Sequence, residues 1–203
     1  MVDKIKNISS KAIIAFTAAM LVALFVAEGL LGYVMETAAY KNGTLEAYTI
    51  TATDFVWNGI REKNGQVITT DNDPQMLLDK PQKFTSLKFY MDVSIHPGEI
   101  VVYYTEPGDA GFSSQKRLWI VPTDQVGWYM VETSMKNVTA LRVDPTMYAG
   151  NVLTFGDFIF NQEKSLGDYF TVSYSDVFNL IVYTGIISSA LKFLQEIIRK
   201  EID

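Results

Sequence analysis

Aromatic side chains recur through the middle of the chain beside carboxylate and amide groups, a combination that suits contact with sugars. The flat face of a ring packs on the apolar side of a pyranose, while neighbouring polar groups bond its hydroxyls. The candidates for glycan contact are Trp57, Tyr104, Trp119, Trp128, Glu106 and Gln115, with Tyr103, Tyr129 and Asp109 beside them. The alternative is that these rings fill or cover a hydrophobic core, which buries large aromatics readily.

The phase of two tryptophans predicts which side of a sheet they occupy. Successive side chains of a strand point to opposite faces, and Trp119 lies between Leu118 and Ile120. Trp128 is likewise out of phase with Tyr129. We therefore expect at least one aromatic side chain in each group to face away from the main core.

Three aspartates, Asp71, Asp73 and Asp109, raise the hypothesis of a structural calcium ion, because hard cations take several oxygen ligands. The run Asp71-Asn72-Asp73-Pro74 lacks the glycine and the downstream glutamate of an EF-hand loop. A turn stabilised by Asx hydrogen bonds explains the same residues. No other cofactor is expected.

Arg142 and Asp144 lie two positions apart, and therefore on one face if this segment is a strand. The spacing favours a structural ion pair, or a contact that fixes the turn at Asp144-Pro145.

The residue types that most catalysis requires are scarce. The chain has no cysteine and a single histidine, His96, which precedes a Pro-Gly turn. These counts exclude thiol chemistry and disfavour Ser-His-Asp catalysis and His-based metal sites. The sequence also contains no Gly-rich phosphate loop and no Ser-centred nucleophile elbow. We expect a non-catalytic protein.

Charge is unevenly distributed along the chain. Counted along the sequence, residues 36–175 contain 11 Lys/Arg and 17 Asp/Glu, whereas the two ends are balanced. No basic stripe interrupts this acidic middle, so we expect no nucleic-acid partner.

The N-terminal part predicts a transmembrane helix over residues 12–35. As a helix, this stretch is about 35 Å long, enough to cross a hydrocarbon core of about 30 Å. Lys4, Lys6 and Lys11 precede it, which predicts that the tail of residues 1–11 is cytoplasmic. The alternative is a cleaved signal peptide, although the apolar stretch is longer than is usual for one.

Small residues recur every fourth position within this helix and so lie along one face. Such spacing lets two helices approach closely in lipid, which predicts a helix-packing surface. Ordinary alanine content of a membrane helix is the alternative. The residues of this surface are Ala15, Ala19, Ala23 and Ala27.

A second apolar segment predicts a transmembrane or membrane-associated helix over residues 175–198, with Ser175-Asp176 as N-cap. Arg199 and Lys200 follow, which predicts that the tail of residues 199–203 is also cytoplasmic. The alternative is an amphipathic helix lying on the membrane or on a partner. Its hydrophilic residues favour contact with the first helix or another protein over bare lipid.

Residues 36–174 read as strands separated by turns, which predicts an extracytoplasmic antiparallel β-sandwich and a mainly β fold. Residues 87–93 alternate apolar and polar in the period of a half-buried strand. The other predicted strands are Leu45–Ala52, Glu99–Thr105, Arg117–Val121, Gly127–Thr133, Thr139–Val143 and Val152–Phe160.

The order of several short motifs resembles a known class of domain. Thr70–Leu78 contains Asp-Pro-Gln, Ile100–Thr105 contains a Val-Tyr-Tyr-Thr strand, and Leu141–Pro145 reads Leu-Arg-Val-Asp-Pro. This order resembles the jelly-roll, carbohydrate-binding-module-like domains of bacterial membrane proteins associated with glycosyltransferases of cell-envelope polysaccharide synthesis. The resemblance covers Ala47 to Phe160 and implies a jelly roll in a cell-envelope setting. It does not extend to a catalytic domain.

Two functions remain open at this point. The first is a membrane-anchored, non-catalytic glycan-binding or accessory module in cell-envelope polysaccharide synthesis or export, with an envelope glycan and a membrane protein such as a glycosyltransferase as partners. The second is a structural or assembly subunit of a membrane complex that uses the sandwich to bind protein. An extracytoplasmic sensor would need a partner for output.

Overall fold

The computed structural model describes residues 8–80 and 82–202, which form two compact units. Residues 36–163 form a β-sandwich unit, and residues 8–35 with 164–202 form a helical unit. The predicted fold class, an antiparallel β-sandwich flanked by an N-terminal and a C-terminal helix, is confirmed. The predicted tails at 1–11 and 199–203 lie partly outside the described residues.

The first helix, α1, runs over Ser10–Lys41. It is rich in alanine and leucine, which favour helix, and the Oγ of Ser9 accepts a hydrogen bond from the Ala12 amide at 3.2 Å. After the helix, Gly43 adopts the left-handed conformation that ends many helices. Within the described residues, the segments Ser10–Lys41 and Leu166–Lys200 are long and apolar enough to cross a membrane.

The second helix, α2, runs over Tyr174–Ile202 and begins with a capping box. The amide and hydroxyl of Ser173 bond the Oδ2 of Asp176 at 2.8 and 2.7 Å, and the Asp176 amide donates to the Ser173 hydroxyl. The predicted N-cap at Ser175-Asp176 is therefore wrong by two residues, because Asp176 serves as the third helical residue and Ser173 as the cap.

Polar side chains of α2 are buried against α1 within the helical unit. Gln195 Nε2 donates to the Ile8 carbonyl at 3.1 Å, and Ser188 is buried. On α1, Ile13 and Thr17 are buried and lie four residues apart, and therefore on one face of the helix. Polar groups in lipid are stabilised between helices, which agrees with the expectation that hydrophilic residues of α2 contact α1.

The sandwich consists of two antiparallel sheets. Sheet A has the strand order β3-β4-β12-β6-β10-β9, and β1 also pairs with β12. Its strands are β1 (Tyr48–Ile50), β3 (Ile60–Lys63), β4 (Gln66–Thr69), β6 (Gln82–Val93), β9 (Val121–Pro122), β10 (Trp128–Val138) and β12 (Val152–Phe160).

Sheet B has the strand order β2-β5-β11-β7-β8. Its strands are β2 (Val56–Asn58), β5 (Gln75–Leu78), β11 (Ala140–Asp144), β7 (Val101–Thr105) and β8 (Arg117–Leu118). Short 3-10 turns lie at Ala52–Asp54, Ser114–Lys116 and Leu166–Phe170.

The core lies between the two sheets and is rich in phenylalanine. The rings of Phe89 and Phe158 stack with centroids 5.3 Å apart, and Phe55 packs on Phe158 at 4.8 Å. Each such buried side chain contributes about 1.5–3 kcal/mol of hydrophobic stabilisation. Because alternate residues of each strand fill this layer, the residues between them form the two outer faces of the sandwich.

One buried asparagine joins strand ends in sheet A. Asn161 Nδ2 donates to the carbonyls of Glu46 and Lys83 at 3.0 and 2.9 Å, and its Oδ1 accepts from the Thr85 amide at 2.9 Å. Its φ of 50° is left-handed, a conformation that asparagine tolerates better than most residues.

The strand predictions succeed where the alternation is long and fail where it is short. The bounds predicted for Val152–Phe160 are confirmed. The predicted strand Arg117–Val121 is wrong as one element, because β8 ends in sheet B at Leu118 and β9 starts in sheet A at Val121. Of the predicted strand Leu45–Ala52, only the three residues of β1 are a strand. The strands β2 to β5, which have three or four residues each, were not predicted from the sequence.

Candidate functional site

A row of side chains crosses the outer face of sheet B perpendicular to its strands. The row contains one residue from each of the five strands, and the strand register pairs each member with the next. Residues next to them in the sequence, Met76, Leu141, Val102 and Leu118, fill the core. With strands about 4.8 Å apart, the row is about 19 Å long. Its members, across β2, β5, β11, β7 and β8, are Val56, Leu77, Arg142, Tyr103 and Arg117.

Arg142 is the most firmly held member of this row. Its Nε and Nη2 donate to the two carboxylate oxygens of Asp144 at 2.6 and 2.7 Å, and Nη2 also donates to Asp73 at 2.8 Å. The guanidinium carbon lies 5.3 Å from the centroid of the Tyr103 ring. The predicted pairing of Arg142 with Asp144 is therefore present, and it also fixes the arginine against an aromatic face.

Burial and pairing act in opposite directions on this ion pair. Burial raises the pKa of the Asp144 carboxyl, and the Arg142 hydrogen bond only partly offsets this. The same hydrogen bond raises the pKa of Arg142. Arg142 therefore opposes the effect of burial on the pKa of Asp144.

Trp119 lies beside the row at the end of β8. Its side chain is 74% exposed, whereas Leu118 is buried, so the predicted outward orientation is confirmed. The guanidinium carbon of Arg117 lies 4.5 Å from the Trp119 ring centroid, and Arg117 is ion-paired with Glu99. The tryptophan is thus supported on one face by a fixed cation.

A cavity at one end of the sandwich gathers several other predicted residues. It has a volume of about 720 Å³ and is lined by Tyr104, Asp109, Phe112, Gln115, Lys116 and adjacent loop residues. Lys116 Nζ bridges Glu106 and Asp109 at 2.8 and 2.6 Å. Tyr104 itself points into the core and is 8% exposed, so only a small part of its ring meets the cavity.

The other two predicted tryptophans lie elsewhere. Trp128 is on the outer face of sheet A, where its ring meets Tyr90. Trp57 packs against the core, and its Nε1 donates to the Ala52 carbonyl at 2.8 Å. The structure therefore brings Tyr104, Glu106, Asp109 and Gln115 together but keeps the three tryptophans apart.

The aspartates considered for calcium have protein partners. Asp71 accepts from the Asp73 amide at 2.9 Å, Asp73 binds Arg142, and Asp109 binds Lys116. Among residues 8–80 and 82–202, no group of three or more His, Cys, Asp or Glu side chains is placed to hold a metal ion. Calcium binding stays a prediction, which a rise in melting temperature on adding calcium would support.

Comparisons with known proteins give a likeness in structure only. No family model and no curated protein matches the chain. The chain is similar to the xylan binding module CBM86 from Roseburia intestinalis, with 12% identity and TM-score 0.39 over 60% of this chain and 98% of that one.

It is also similar to a family 29 carbohydrate binding module, with 10% identity and TM-score 0.40 over 57% of this chain and 89% of that one. A CBM29-2 mutant complexed with mannohexaose has 13% identity and TM-score 0.41, over 64% of this chain and 100% of that one. At these values the likeness carries no inference about function, which has to follow from the residues of this chain.

Sequence reasoning missed two contributors to the outer faces. Arg117 was not predicted as a site residue, because only the register of β7 with β8 places it beside Tyr103. Tyr90 was assigned to the polar side of the strand at residues 87–93, but its contact with Trp128 depends on pairing between β6 and β10. Polar alternation identifies the outer face, and strand pairing is needed to know which rings meet.

Proposed function

We propose that this chain is a membrane-anchored, non-catalytic glycan-binding or accessory module that acts in cell-envelope polysaccharide synthesis or export. The observation that carries the proposal is the row on the outer face of sheet B, with exposed Trp119 at its side. It combines aromatic faces with fixed hydrogen-bonding groups on a rigid sheet.

This combination matches the chemistry of a sugar chain. The C–H groups on one side of a pyranose carry partial positive charge and suit the negative face of an aromatic ring such as Trp119. Arginine and carboxylate groups bond hydroxyls, and ion pairing holds Arg142 and Arg117 in place before a ligand arrives. An elongated row of about 19 Å suits a linear oligosaccharide better than a single small metabolite.

The two apolar helices support membrane anchoring. By the positive-inside rule, Lys4 and Lys6 before α1 and the basic residues at the end of α2 support a cytoplasmic location for both termini. The sandwich then lies outside the cytoplasm, where it meets envelope glycans. A glycosyltransferase or another membrane protein of polysaccharide synthesis is the partner that this setting favours.

Titration of the full chain in lipid nanodiscs with neutral hexasaccharides tests glycan binding. Cellohexaose, mannohexaose, xylohexaose and chitohexaose differ at carbons 2 and 6 and so sample the main ring types. We expect at least one to bind, and Trp119→Ala to weaken binding at the sheet B row by about tenfold or more. Tyr174→Ala removes an exposed ring at the start of α2, outside the sandwich unit, and is expected to leave binding unchanged.

If no hexasaccharide binds, or if Trp119→Ala binds the same number of hexasaccharides per chain with the same affinities as the unchanged protein, the sheet B row is not a glycan site. Co-purification of an envelope glycosyltransferase with the chain from membranes would support the accessory role.

A second candidate, an assembly subunit of a membrane complex, is favoured by the alanine surface of α1. All four of its residues are exposed, whereas the buried Ile13 of α1 lines a cavity together with Ser188 of α2. The chain has no cysteine, so Ala19→Cys can be labelled with a maleimide–benzophenone crosslinker at one defined position. We expect a crosslinked partner from Ala19→Cys and not from Leu24→Cys, on another exposed face; equal yields would contradict a specific contact.

A further inference from the structure

Tyr90 lies on the outer face of sheet A, where two glycines make room for its ring. A Cβ at Gly156 would lie 3.0 Å from the Tyr90 Cβ and 3.4 Å from Cδ1. A Cβ at Gly127 would lie 2.6 Å from Cε2, on the opposite edge of the same ring. Tyr90 therefore lies between Gly156 of β12 and Gly127, the residue before β10, and occupies space that side chains at these two positions would take.

The backbone around Tyr90 is adapted to this position. Pairing between β12 and β6 shifts between Phe155 and Phe158, so Gly156 and Asp157 form an irregularity opposite Tyr90. Such bulges commonly re-aim a side chain. On the other side, Gly127 has φ +80°, a conformation that strains residues with a side chain.

Trp128 stands beside this ring as a second aromatic surface. Its centroid lies 5.8 Å from that of Tyr90 at an interplanar angle of 63°, so the two rings form a floor and a wall. Lys88 Nζ lies 5.1 Å from the Trp128 centroid, which supports the tryptophan with a cation.

The polar groups around this corner are mixed, with acidic groups in the exposed positions. Asp92 and Thr154 are cross-strand partners, and both are exposed. Glu132 and Asp157 are exposed on the neighbouring strands β10 and β12. An aromatic corner with such a rim suits a ring that has an apolar face and neutral hydroxyls. Asp92, Glu132 and Asp157 outnumber the cation of Lys88, so the corner disfavours an anionic sugar.

We propose that the outer face of sheet A is a second carbohydrate site, specific for neutral sugars, with Tyr90 as floor and Trp128 as wall. The ligand class rests on the proposed function, but the site is separate from the sheet B row because it lies on the opposite side of the core. A module with both sites holds two glycan segments at once.

Calorimetric titration of the full chain in nanodiscs with the four neutral hexasaccharides measures the number of sites. We expect two sites per chain in the unchanged protein, one in Tyr90→Ala and one in Trp119→Ala. Tyr90→Phe retains the ring and is expected to keep both sites. Gly156→Ala displaces the ring without removing it and should weaken the sheet A site by at least several-fold. Hexagalacturonate, an anionic probe, should not bind the sheet A site that remains in Trp119→Ala.

The outcomes separate the two sites. If Trp119→Ala abolishes all binding, the sheet A site is overturned and the sheet B proposal stands. If Tyr90→Ala abolishes all binding, the sheet B row is overturned and the sheet A site stands. Binding of hexagalacturonate to Trp119→Ala as tight as that of a neutral hexasaccharide would overturn the specificity for neutral sugars, and absence of binding by every probe overturns both sites.

Discussion

The two outer faces of the sandwich present aromatic rings by different physical means. On sheet B, Tyr103 and Trp119 are each held against an arginine that carboxylates fix in place. On sheet A, Tyr90 is held by the absence of side chains at Gly127 and Gly156. The rings of sheet B are positioned by ion-paired arginines, whereas Tyr90 of sheet A is positioned by the room that two glycines leave. The two faces should therefore respond differently to mutation and to pH.

The largest effect is expected on the charged face, from Arg142→Ala. This change leaves Asp144, which is 9% exposed, without its bidentate partner, and an uncompensated buried carboxylate is costly. We expect a loss of about 2–4 kcal/mol in the free energy of unfolding. Urea denaturation of the full chain in nanodiscs, followed by tryptophan fluorescence, measures it.

Asp73→Ala is the matched control, because Asp73 pairs with the same arginine but its side chain is 67% exposed. We expect it to cost less than about 1 kcal/mol. Equal losses for the two variants would mean that burial of Asp144 does not determine the stability of this face.

The space-dependent face is tested by Gly127→Ala against Gly150→Ala. Both glycines have φ near +80°, but a Cβ at Gly150 meets nothing within 4 Å, whereas one at Gly127 strikes the Tyr90 ring. Each variant should lose about 1–2 kcal/mol for the left-handed backbone. Gly127→Ala should lose about 1 kcal/mol more, from displacement of the ring.

The double variant Gly127→Ala with Tyr90→Ala isolates that additional loss in a double-mutant cycle. The coupling should vanish if the ring does not occupy the space above Gly127.

A smaller effect sharpens the contrast through pH. In Arg142→Ala, burial acts on Asp144 without the arginine that opposes it, so the pKa of Asp144 rises further above its ordinary value. A carboxyl whose pKa is raised on folding favours the folded state when protonated, and this stability is lost as pH rises through the folded pKa. The deficit of Arg142→Ala relative to the unchanged protein should therefore shrink on acidification. Gly127→Ala involves no titrating group, so its loss in the free energy of unfolding should stay constant between about pH 4, near the ordinary pKa of a carboxyl group, and about pH 7.

How far these faces follow from the sequence depends on whether a feature is local. The outward phase of Trp119 follows from its apolar neighbours, and the pairing of Arg142 with Asp144 follows from their spacing of two. The corner formed by Tyr90 and Trp128 joins residues on β6 and β10, and no local pattern fixes which positions of two strands pair.

Local patterns also misplace residues where a strand has apolar residues on both faces or is interrupted. Tyr104 belongs to a strand of the first kind, so alternation does not separate its inward position from the outward position of Tyr103. The segment after Leu118 leaves one sheet and joins the other within three residues, which a continuous apolar run conceals.

The smallest expected effect concerns the cavity at the end of the sandwich. This region depends on a hydrogen-bonded loop, and neither on a buried ion pair nor on glycines that make room for a ring. Asp109 Oδ2 accepts from the Glu106 amide at 2.7 Å and from Lys116 Nζ. These hydrogen bonds, that of the Glu106 amide first, hold the pKa of Asp109 below its ordinary value. A carboxyl whose pKa is lowered on folding stabilises the folded state at pH values above its unfolded pKa, and this stabilisation is lost as pH falls through its folded pKa.

Hydrogen exchange at the Glu106 amide reports this loop directly. Asp109→Asn retains an acceptor but removes the charge, so we expect faster exchange of that amide at neutral pH and no change at amides of β12 in sheet A. The difference between Asp109→Asn and the unchanged protein should close as pH falls and Asp109 itself becomes protonated. A difference that persists at low pH would mean that the shape of the side chain, and not its charge, orders the loop beside Tyr104.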